Sequence, residues 1–122
     1  METTTSDHEL IRNAIANIAV AFDTNTYADL RNSFTEDCVA DYTGSLGRLD
    51  GIDTVIEKLQ STIGHVTTFH GLSTQVIRLI GKDTAEATTY CSTSHYVGDK
   101  SFFAEAKYFD KLVKVTEGST TK

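Results

Sequence analysis

The sequence predicts an α+β fold, in which N-terminal helices pack on one face of a curved antiparallel sheet. Segments within residues 7–64 carry apolar side chains at helical spacing, whereas residues 65–115 alternate between apolar and polar side chains. The alternating part is divided by two short turns, GKD at 81–83 and GDK at 98–100, which are typical of hairpins. Helices followed by a meander of strands indicate the α+β class.

The first helix is predicted to begin after Ser6 and to end near Asp23. Ser6 and Glu9 have the S-x-x-E spacing of a capping box, which satisfies backbone N–H groups at a helix start. Its apolar stripe recurs at intervals of three and four residues: Leu10, Ile11, Ala14, Ile15, Ile18 and Phe22. Residues 1–5 precede the cap and are expected to be disordered.

Two further helices and a short strand are predicted before residue 65. A short helix should follow Thr26 and bury Tyr27, Leu30 and Phe34. Residues 38–44 (CVADYTG) are expected to form a strand, and residues 44–51 (GSLGRLDG) a glycine-rich loop. A third helix should start near residue 50 and end at Gly64. One face of this helix is apolar: Ile52, Val55, Ile56, Leu59 and Ile63.

The phase of each long strand decides which side chains share the concave face. In residues 65–80 the even-numbered positions form one face: Val66, Thr68, His70, Leu72, Thr74 and Val76. In residues 84–97 the odd-numbered positions form another: Ala85, Ala87, Thr89, Cys91, Thr93, His95 and Val97. Small side chains on a concave sheet leave room for a ligand. His70 and His95, which would point into this space, are therefore candidates for chemistry.

Asp23 and Tyr42 are predicted to join the two histidines. Asp23 follows the apolar stripe of the first helix, and a buried carboxylate is costly unless it is paired. A histidine is the expected partner, because the pair would fix the tautomer of the imidazole. Tyr42 ends the first strand on the same rim. Asp23, Tyr42, His70 and His95 together would form a general acid–base set in an apolar pocket.

Composition excludes several classes of function. The chain has 122 residues and a net charge of −6, which argues against nucleic-acid binding. No apolar run reaches the roughly 20 residues that cross a bilayer, and the N-terminus lacks the features of a signal peptide. We therefore expect one domain over residues 1–122, in the cytoplasm. Cys38 and Cys91 have no CxxC companions and are predicted to be small thiols in the core.

The chain resembles the SnoaL-like branch of the nuclear-transport-factor-2-like superfamily. Residues 21–44 (AFDTNTYADLRNSFTEDCVADYTG) resemble the entry segment of that family. Residues 67–73 (TTFHGLS) and 107–112 (KYFDKL) resemble its later strands, and the likeness extends over about residues 8–115. The resemblance implies a cone whose helices close one mouth of a curved sheet, a small-molecule substrate and no cofactor.

Within this family, the site pattern is most similar to that of the scytalone dehydratases. Asp23, Tyr42, His70 and His95 match their pocket residues in order, at separations of 19, 28 and 25 residues. The resemblance implies that His70 removes a proton α to a carbonyl and then protonates the departing hydroxyl. It also implies that Asp23 holds His95 and that Tyr42 donates to the carbonyl oxygen, where negative charge develops.

The chain departs from that pattern in three places. Phe22 stands where these enzymes have a second tyrosine, and our register places Phe103 and Glu105 where their last pocket strand has serine and asparagine. Family members usually continue beyond KVTEG (114–118) into a final strand, so we expect this strand to be shortened or missing. A partner subunit would then cover the exposed edge, as in a homodimer or homotrimer.

Three functions remain open at this point. The first is a dehydratase or isomerase acting beside a carbonyl of a polyketide-like or polycyclic compound. The second is a cyclase or rearrangement isomerase of a biosynthetic pathway, and the third a non-catalytic binding or dimerisation module. Two histidines and a carboxylate also suit a facial metal triad, but a metal would compete with the Asp–His pair. No metal is therefore expected.

The remaining charged residues of interest are predicted to lie on the surface. His8 falls in a first helical turn and His65 at a strand start. Asp41 alternates outward beside Tyr42. Asp110 and Lys111 are predicted to form a charge pair in solvent.

Overall fold

The computed structural model describes residues 5–42, 44 and 46–115. Its elements, in chain order, are α1 (Asp7–Asp23), a 3₁₀ helix (Tyr27–Asn32), β1 (Val39–Tyr42), β2 (Gly47–Asp50), α2 (Ile52–Ile63), β3 (Thr67–Leu79), β4 (Thr84–Val97) and β5 (Lys100–Val113). The predicted α+β class is confirmed. Of the residues 1–5 that were expected to be disordered, 1–4 fall outside the described residues, and so does the part of the chain after residue 115, where the final strand was expected to be shortened or missing.

The ends of α1 are set by side chains that cap its backbone. Ser6 Oγ accepts a hydrogen bond from the Glu9 N–H (3.2 Å), as the capping motif predicts. At the other end, Thr24 Oγ1 donates to the Val20 carbonyl (2.7 Å), and Asn25 adopts a left-handed φ of 57° that turns the chain away. These signals place Asp23 at the last position of the helix.

A two-stranded sheet forms where a loop was predicted. β2 pairs antiparallel with β1, from Val39 opposite Asp50 to Tyr42 opposite Gly47. The prediction of a loop over residues 44–51 is therefore wrong for residues 47–50. The glycines indicate a hairpin instead of a loop, because Gly44 and Gly47 have the positive φ angles that its turn requires.

The core joins α1, the 3₁₀ helix, α2 and the small sheet. The buried cluster comprises Ala21, Phe22, Tyr27, Leu30, Ala40, Leu49, Ile52, Val55 and Leu59. Leu30 and Val55 have no exposed surface, and the partly buried Tyr42 packs against the cluster. The core thus surrounds the C-terminal end of α1, where Asp23 lies.

The larger sheet has the order β3-β4-β5, with all strands antiparallel. A bulge interrupts β3, because Leu72 pairs with Cys91 but the next pair joins Gln75 to Thr89. Two residues of β3 thus stand opposite one of β4, and the alternation of β3 changes phase at this point.

The bulge corrects the predicted face of β3. Thr68 and His70 share the α1 side of the sheet, as predicted, but Thr74 and Val76 do not. Val76 is 56% exposed, whereas Ile77 pairs with the buried Ala87. The even-numbered face therefore ends at the bulge, which the β-branched composition of residues 73–77 does not reveal.

The phase of β5 also differs from our prediction. Val97 pairs directly with Lys100, so the turn contains two residues, Gly98 and Asp99, rather than three. The odd face of β4 consequently lies beside the even residues of β5. Phe103, placed in the pocket by the predicted register, is 73% exposed, and Glu105 is exposed as well.

Candidate active site

Asp23 and His70 form a hydrogen-bonded pair where the end of α1 meets the start of β3. Asp23 Oδ1 lies 2.7 Å from His70 Nδ1 and accepts a hydrogen bond from Thr68 Oγ1 (2.9 Å). Asp23 Oδ2 accepts the backbone N–H of His70 (2.9 Å). The His70 side chain is 8% exposed and that of Asp23 is 21% exposed. Because Asp23 is held from both strand backbone and side chains, the carboxylate is fixed in position.

The predicted pairing of Asp23 with His95 is wrong. Asp23 contacts His70, and His95 stands beside that histidine with its ring centroid 6.4 Å away. His95 pairs across the sheet with Thr68, two residues before His70. The strand phase correctly places both histidines on one face. The strand phase does not show how far α1 extends along that face, and this extent determines which histidine contacts Asp23.

The orientation of His70 follows from this contact. With Nδ1 directed at the carboxylate, the tautomer that donates from Nδ1 leaves an unprotonated Nε2. Among residues 5–42, 44 and 46–115, no hydrogen bond to His70 Nε2 is found. This nitrogen therefore has no protein partner in the described part of the chain.

Two aromatic side chains enclose the pair. Phe22 has its ring centroid 5.3 Å from that of His70. Tyr27 lies 6.0 Å from Phe22 and is 2% exposed, so its predicted place in the core is confirmed. Burial and the Asp23 carboxylate both raise the pKa of Tyr27. Its hydroxyl is buried and has no hydrogen-bond partner in the described part of the chain.

Tyr42 lies near other ionisable groups than those predicted. Burial, followed by the neighbouring Tyr108 and Asp110, raises the pKa of the Tyr42 phenol. Tyr108 interacts in turn with the side chains of Thr93 and Cys91, and Thr93 is the cross-strand partner of His70. Tyr108 therefore stands between the histidine end of the sheet and Tyr42.

Asp110 is the functional candidate that sequence reasoning missed. It was predicted to pair with Lys111 in solvent, but it faces inward and no ion pair of Asp110 with Lys111 is found among the described residues. Burial raises the pKa of Asp110. A prediction of the two-residue turn would have revealed the inward position of Asp110. When Val97 pairs with Lys100, the register places Thr89 opposite Tyr108 and Ala87 opposite Asp110. The predictions for His8, His65 and Asp41 are confirmed, since all three are exposed.

A cleft of about 900 Å³ opens between the N-terminal half of α1 and the far end of the sheet. Asp110 lines this cleft, but none of Asp23, Tyr42, His70 and His95 does. The Asp23–His70 pair and the cleft thus occupy different parts of the concave side.

Two further properties concern the described residues alone. Over residues 5–42, 44 and 46–115, no three His, Cys, Asp or Glu side chains are grouped so as to hold a metal ion. Neither α1 nor α2 combines the length and apolar content that a bilayer crossing requires.

A comparison with known protein families identifies the family to which the chain belongs. The model of the SnoaL-like domain matches residues 3–119. The chain belongs to the SnoaL-like family. No protein with a curated description matches the chain.

Solved structures agree with the SnoaL-like fold. A proposed scytalone dehydratase of Novosphingobium aromaticivorans is 24% identical, with a TM-score of 0.80 over 89% of this chain and 74% of the other. A proposed aromatic ring hydroxylase of the same organism is 21% identical, with a TM-score of 0.83 over 96% and 85%. ActVI-ORFA of Streptomyces coelicolor is 16% identical, with a TM-score of 0.77 over 93% and 90%. At these identities the likeness establishes the fold.

The half-buried position of Asp110 predicts a pH dependence of stability. Its pKa is raised in the folded protein, so the folded state binds this proton more tightly than the unfolded chain does. The contribution of protonated Asp110 to the free energy of unfolding is complete below the pKa that Asp110 has in the unfolded chain. It is lost as the pH rises through the pKa that Asp110 has in the folded protein. We expect Asp110→Asn to remove this loss. Its free energy of unfolding should rise relative to wild type as the pH increases above about 4.

The measurement is urea denaturation of both proteins between pH 4 and 8. Asp41→Asn is the control, because Asp41 is exposed on β1. A difference between Asp110→Asn and wild type that stayed constant across this range would contradict the prediction.

Proposed function

We propose that the chain is a cofactor-free dehydratase or isomerase that moves a proton beside a carbonyl of a polyketide-like or polycyclic small molecule. The observation that carries the proposal is the Asp23–His70 pair, with its 2.7 Å contact at Nδ1 and its free Nε2. A histidine held by a carboxylate in a shielded site is suited to act as a general base. Membership of the SnoaL-like family supports action on small molecules.

The proposed dehydration uses one nitrogen twice. His70 Nε2 takes the proton from the carbon α to the carbonyl, and the electron pair of the C–H bond forms an enolate. The imidazolium then gives this proton to the β-hydroxyl, the C–O bond breaks, and a C=C bond and one water are formed. Asp23 balances the positive charge on the ring throughout, since Nδ1 stays directed at its carboxylate. Isomerisation differs only in that the proton returns to another carbon.

His95 and the phenols are assigned supporting roles. His95, which lies beside His70 on the same face, is proposed to donate to the substrate. Tyr42 is proposed to donate to the carbonyl oxygen, and burial keeps its phenol protonated as that role requires. Tyr108, which the predicted site lacked, connects Tyr42 with the strand region opposite His70.

A second candidate function is binding without turnover. The observation that favours it is the separation of the cleft from the Asp23–His70 pair, because a molecule held in the cleft alone would not touch His70. Phe22 in place of a tyrosine agrees with this alternative.

The test is incubation of the full-length protein with a hydroxytetralone that carries its hydroxyl β to the ketone. Loss of water aromatises this compound to a fluorescent naphthol, and exchange in D₂O reports removal of the α-proton independently. Naphthol formation supports a dehydratase, and deuterium exchange without water loss supports an isomerase. Binding with neither reaction over several hours would overturn the proposed chemistry in favour of a binding module.

A further inference from the structure

Thr68 lies on β3 two residues before His70, and its side chain faces the same side of the sheet. It is 5% exposed. Its hydroxyl donates to Asp23 Oδ1 (2.9 Å), the same oxygen that lies 2.7 Å from His70 Nδ1. A shielded hydroxyl that bonds to this oxygen belongs to the same polar network as the Asp23–His70 pair, and it can influence the geometry of that pair.

The carboxylate of Asp23 is held by β3 at both of its oxygens. The Thr68 hydroxyl holds Oδ1, and the backbone N–H of His70 holds Oδ2 (2.9 Å). The torsion that turns a carboxylate about its Cβ–Cγ bond has broad energy minima, so one hydrogen bond alone would leave it loosely defined. Two donors from one strand fix this torsion without the imidazole. Oδ1 is therefore held toward Nδ1 independently of the His70 ring.

The same two donors determine where the hydrogen of the Asp23–His70 contact lies. A backbone N–H can only donate, so Oδ2 is an acceptor. The Thr68 hydroxyl directs its single hydrogen at Oδ1, so this oxygen accepts as well. The Nδ1 atom of His70 must then carry the hydrogen that lies between the two side chains. In the neutral imidazole this arrangement leaves Nε2 unprotonated.

Thr68 also accounts for the choice between the two histidines. It is the cross-strand partner of His95 and shares its face of the sheet. Among the described residues, every hydrogen bond that Asp23 accepts with its side chain comes from β3, and none comes from β4. Because Thr68 stands opposite His95 and binds the carboxylate itself, Asp23 is directed along β3 to His70.

We infer that Thr68 is a positioning residue, whose hydroxyl fixes the Asp23 carboxylate so that His70 is held as the Nδ1–H tautomer. Thr68 acts through Asp23 and does not touch the reacting atoms. Its effect on turnover rests on the proposed function, because that function requires an unprotonated Nε2. The tautomer is a property of the protein without ligand, so it can be measured whether or not the proposed function is correct.

The first measurement is ¹⁵N NMR of the full-length protein at a pH where the imidazole is neutral, since the shifts of the two ring nitrogens identify the tautomer. The signals of His70 are those that His70→Asn lacks. Wild type should show a protonated Nδ1. Thr68→Val and Thr68→Ala, which both lack the hydroxyl, should show a mixture of tautomers because the carboxylate can turn. Thr68→Ser keeps the hydroxyl and should retain the wild-type tautomer.

The second measurement is the kinetics on a hydroxytetralone that the wild type turns over. Thr68→Val should lower kcat about tenfold, through the loss of one hydrogen bond to a charged group, and leave KM within a factor of about two. Thr68→Ser should recover most of kcat. Thr89→Val is the matched control, because Thr89 is fully buried on β4 and its hydroxyl accepts from Gln75 Nε2 (2.9 Å). It should lower stability without changing the tautomer or kcat.

Three results would overturn the inference. They are a wild-type His70 that is protonated at Nε2, a wild-type tautomer in Thr68→Val, and the same mixture of tautomers in Thr68→Ser as in Thr68→Val. Failure of the proposed function is a separate result. If wild type neither dehydrates a hydroxytetralone nor exchanges its α-proton, the proposed chemistry is refuted. An Nδ1–H tautomer that depends on the Thr68 hydroxyl would still establish the positioning role.

Discussion

His70→Asn should lower the rate of α-proton exchange and water loss by about 10²–10⁴-fold, the usual contribution of a positioned general base. Asparagine is the informative replacement because its amide N–H can still donate to Asp23, in the place of Nδ1–H. The contact between α1 and β3 is thereby kept, while the basic nitrogen is removed. The backbone N–H of residue 70 would still donate to Asp23 Oδ2, as it does in the wild-type protein (2.9 Å).

The control for this change is His65→Asn. His65 is exposed and lies before β3, so its replacement should leave the rate within a factor of two. Circular dichroism and thermal unfolding of both variants establish that the fold is retained. If His70→Asn retained the wild-type rate on a hydroxytetralone that the wild type turns over, the assignment of His70 as the base would be refuted.

Asp23→Ala should destabilise the protein by about 2–4 kcal/mol, because three donors of β3 lose their acceptor at once. They are the Thr68 hydroxyl, the His70 ring and the His70 backbone N–H. The first two side chains are well shielded, so water replaces the carboxylate only in part. The loss should appear in urea denaturation as a lower midpoint with an unchanged m-value.

Asp29→Ala is the matched control for this prediction. Asp29 is an exposed acid on the 3₁₀ helix and has no side-chain hydrogen bond among the described residues, so a change within about 0.5 kcal/mol is expected. Asp23→Asn should fall between the two, since the amide keeps one of the two acceptor oxygens of the carboxylate. Equal stability of Asp23→Ala and Asp29→Ala would mean that the carboxylate does not join α1 to the sheet.

The periodicity of the sequence predicted the elements well where they are long. The bounds of α1 agree to within a residue, because the Ser6 cap and the turn after Asp23 are local signals. Three long strands were likewise evident from alternation. β2 was missed because a strand of four residues between glycines has the composition of a loop, and its pairing with β1 is a tertiary property.

The errors in the site have two origins, the register of the strands and the reach of α1 along the sheet. One extra residue in the turn after Val97 moves Phe103 and Glu105 into the pocket and Asp110 out of it. The choice between His70 and His95 as partner of Asp23 depends on the axial reach of α1, which residue types do not encode. Alternation predicts the face of a strand reliably only between one irregularity and the next.

The bulge after Leu72 makes β3 two half-strands with opposite periodicity. In the first half, Thr68 and His70 face Asp23. In the second half, Gln75 and Ile77 face the same side further along the sheet. Deleting one residue between the halves would exchange inside for outside in the second half alone. The two halves therefore differ in whether even-numbered or odd-numbered residues face inward. Substitution in the second half can therefore change its inward face while the hydrogen bonds of Asp23 to Thr68 and His70 stay unchanged.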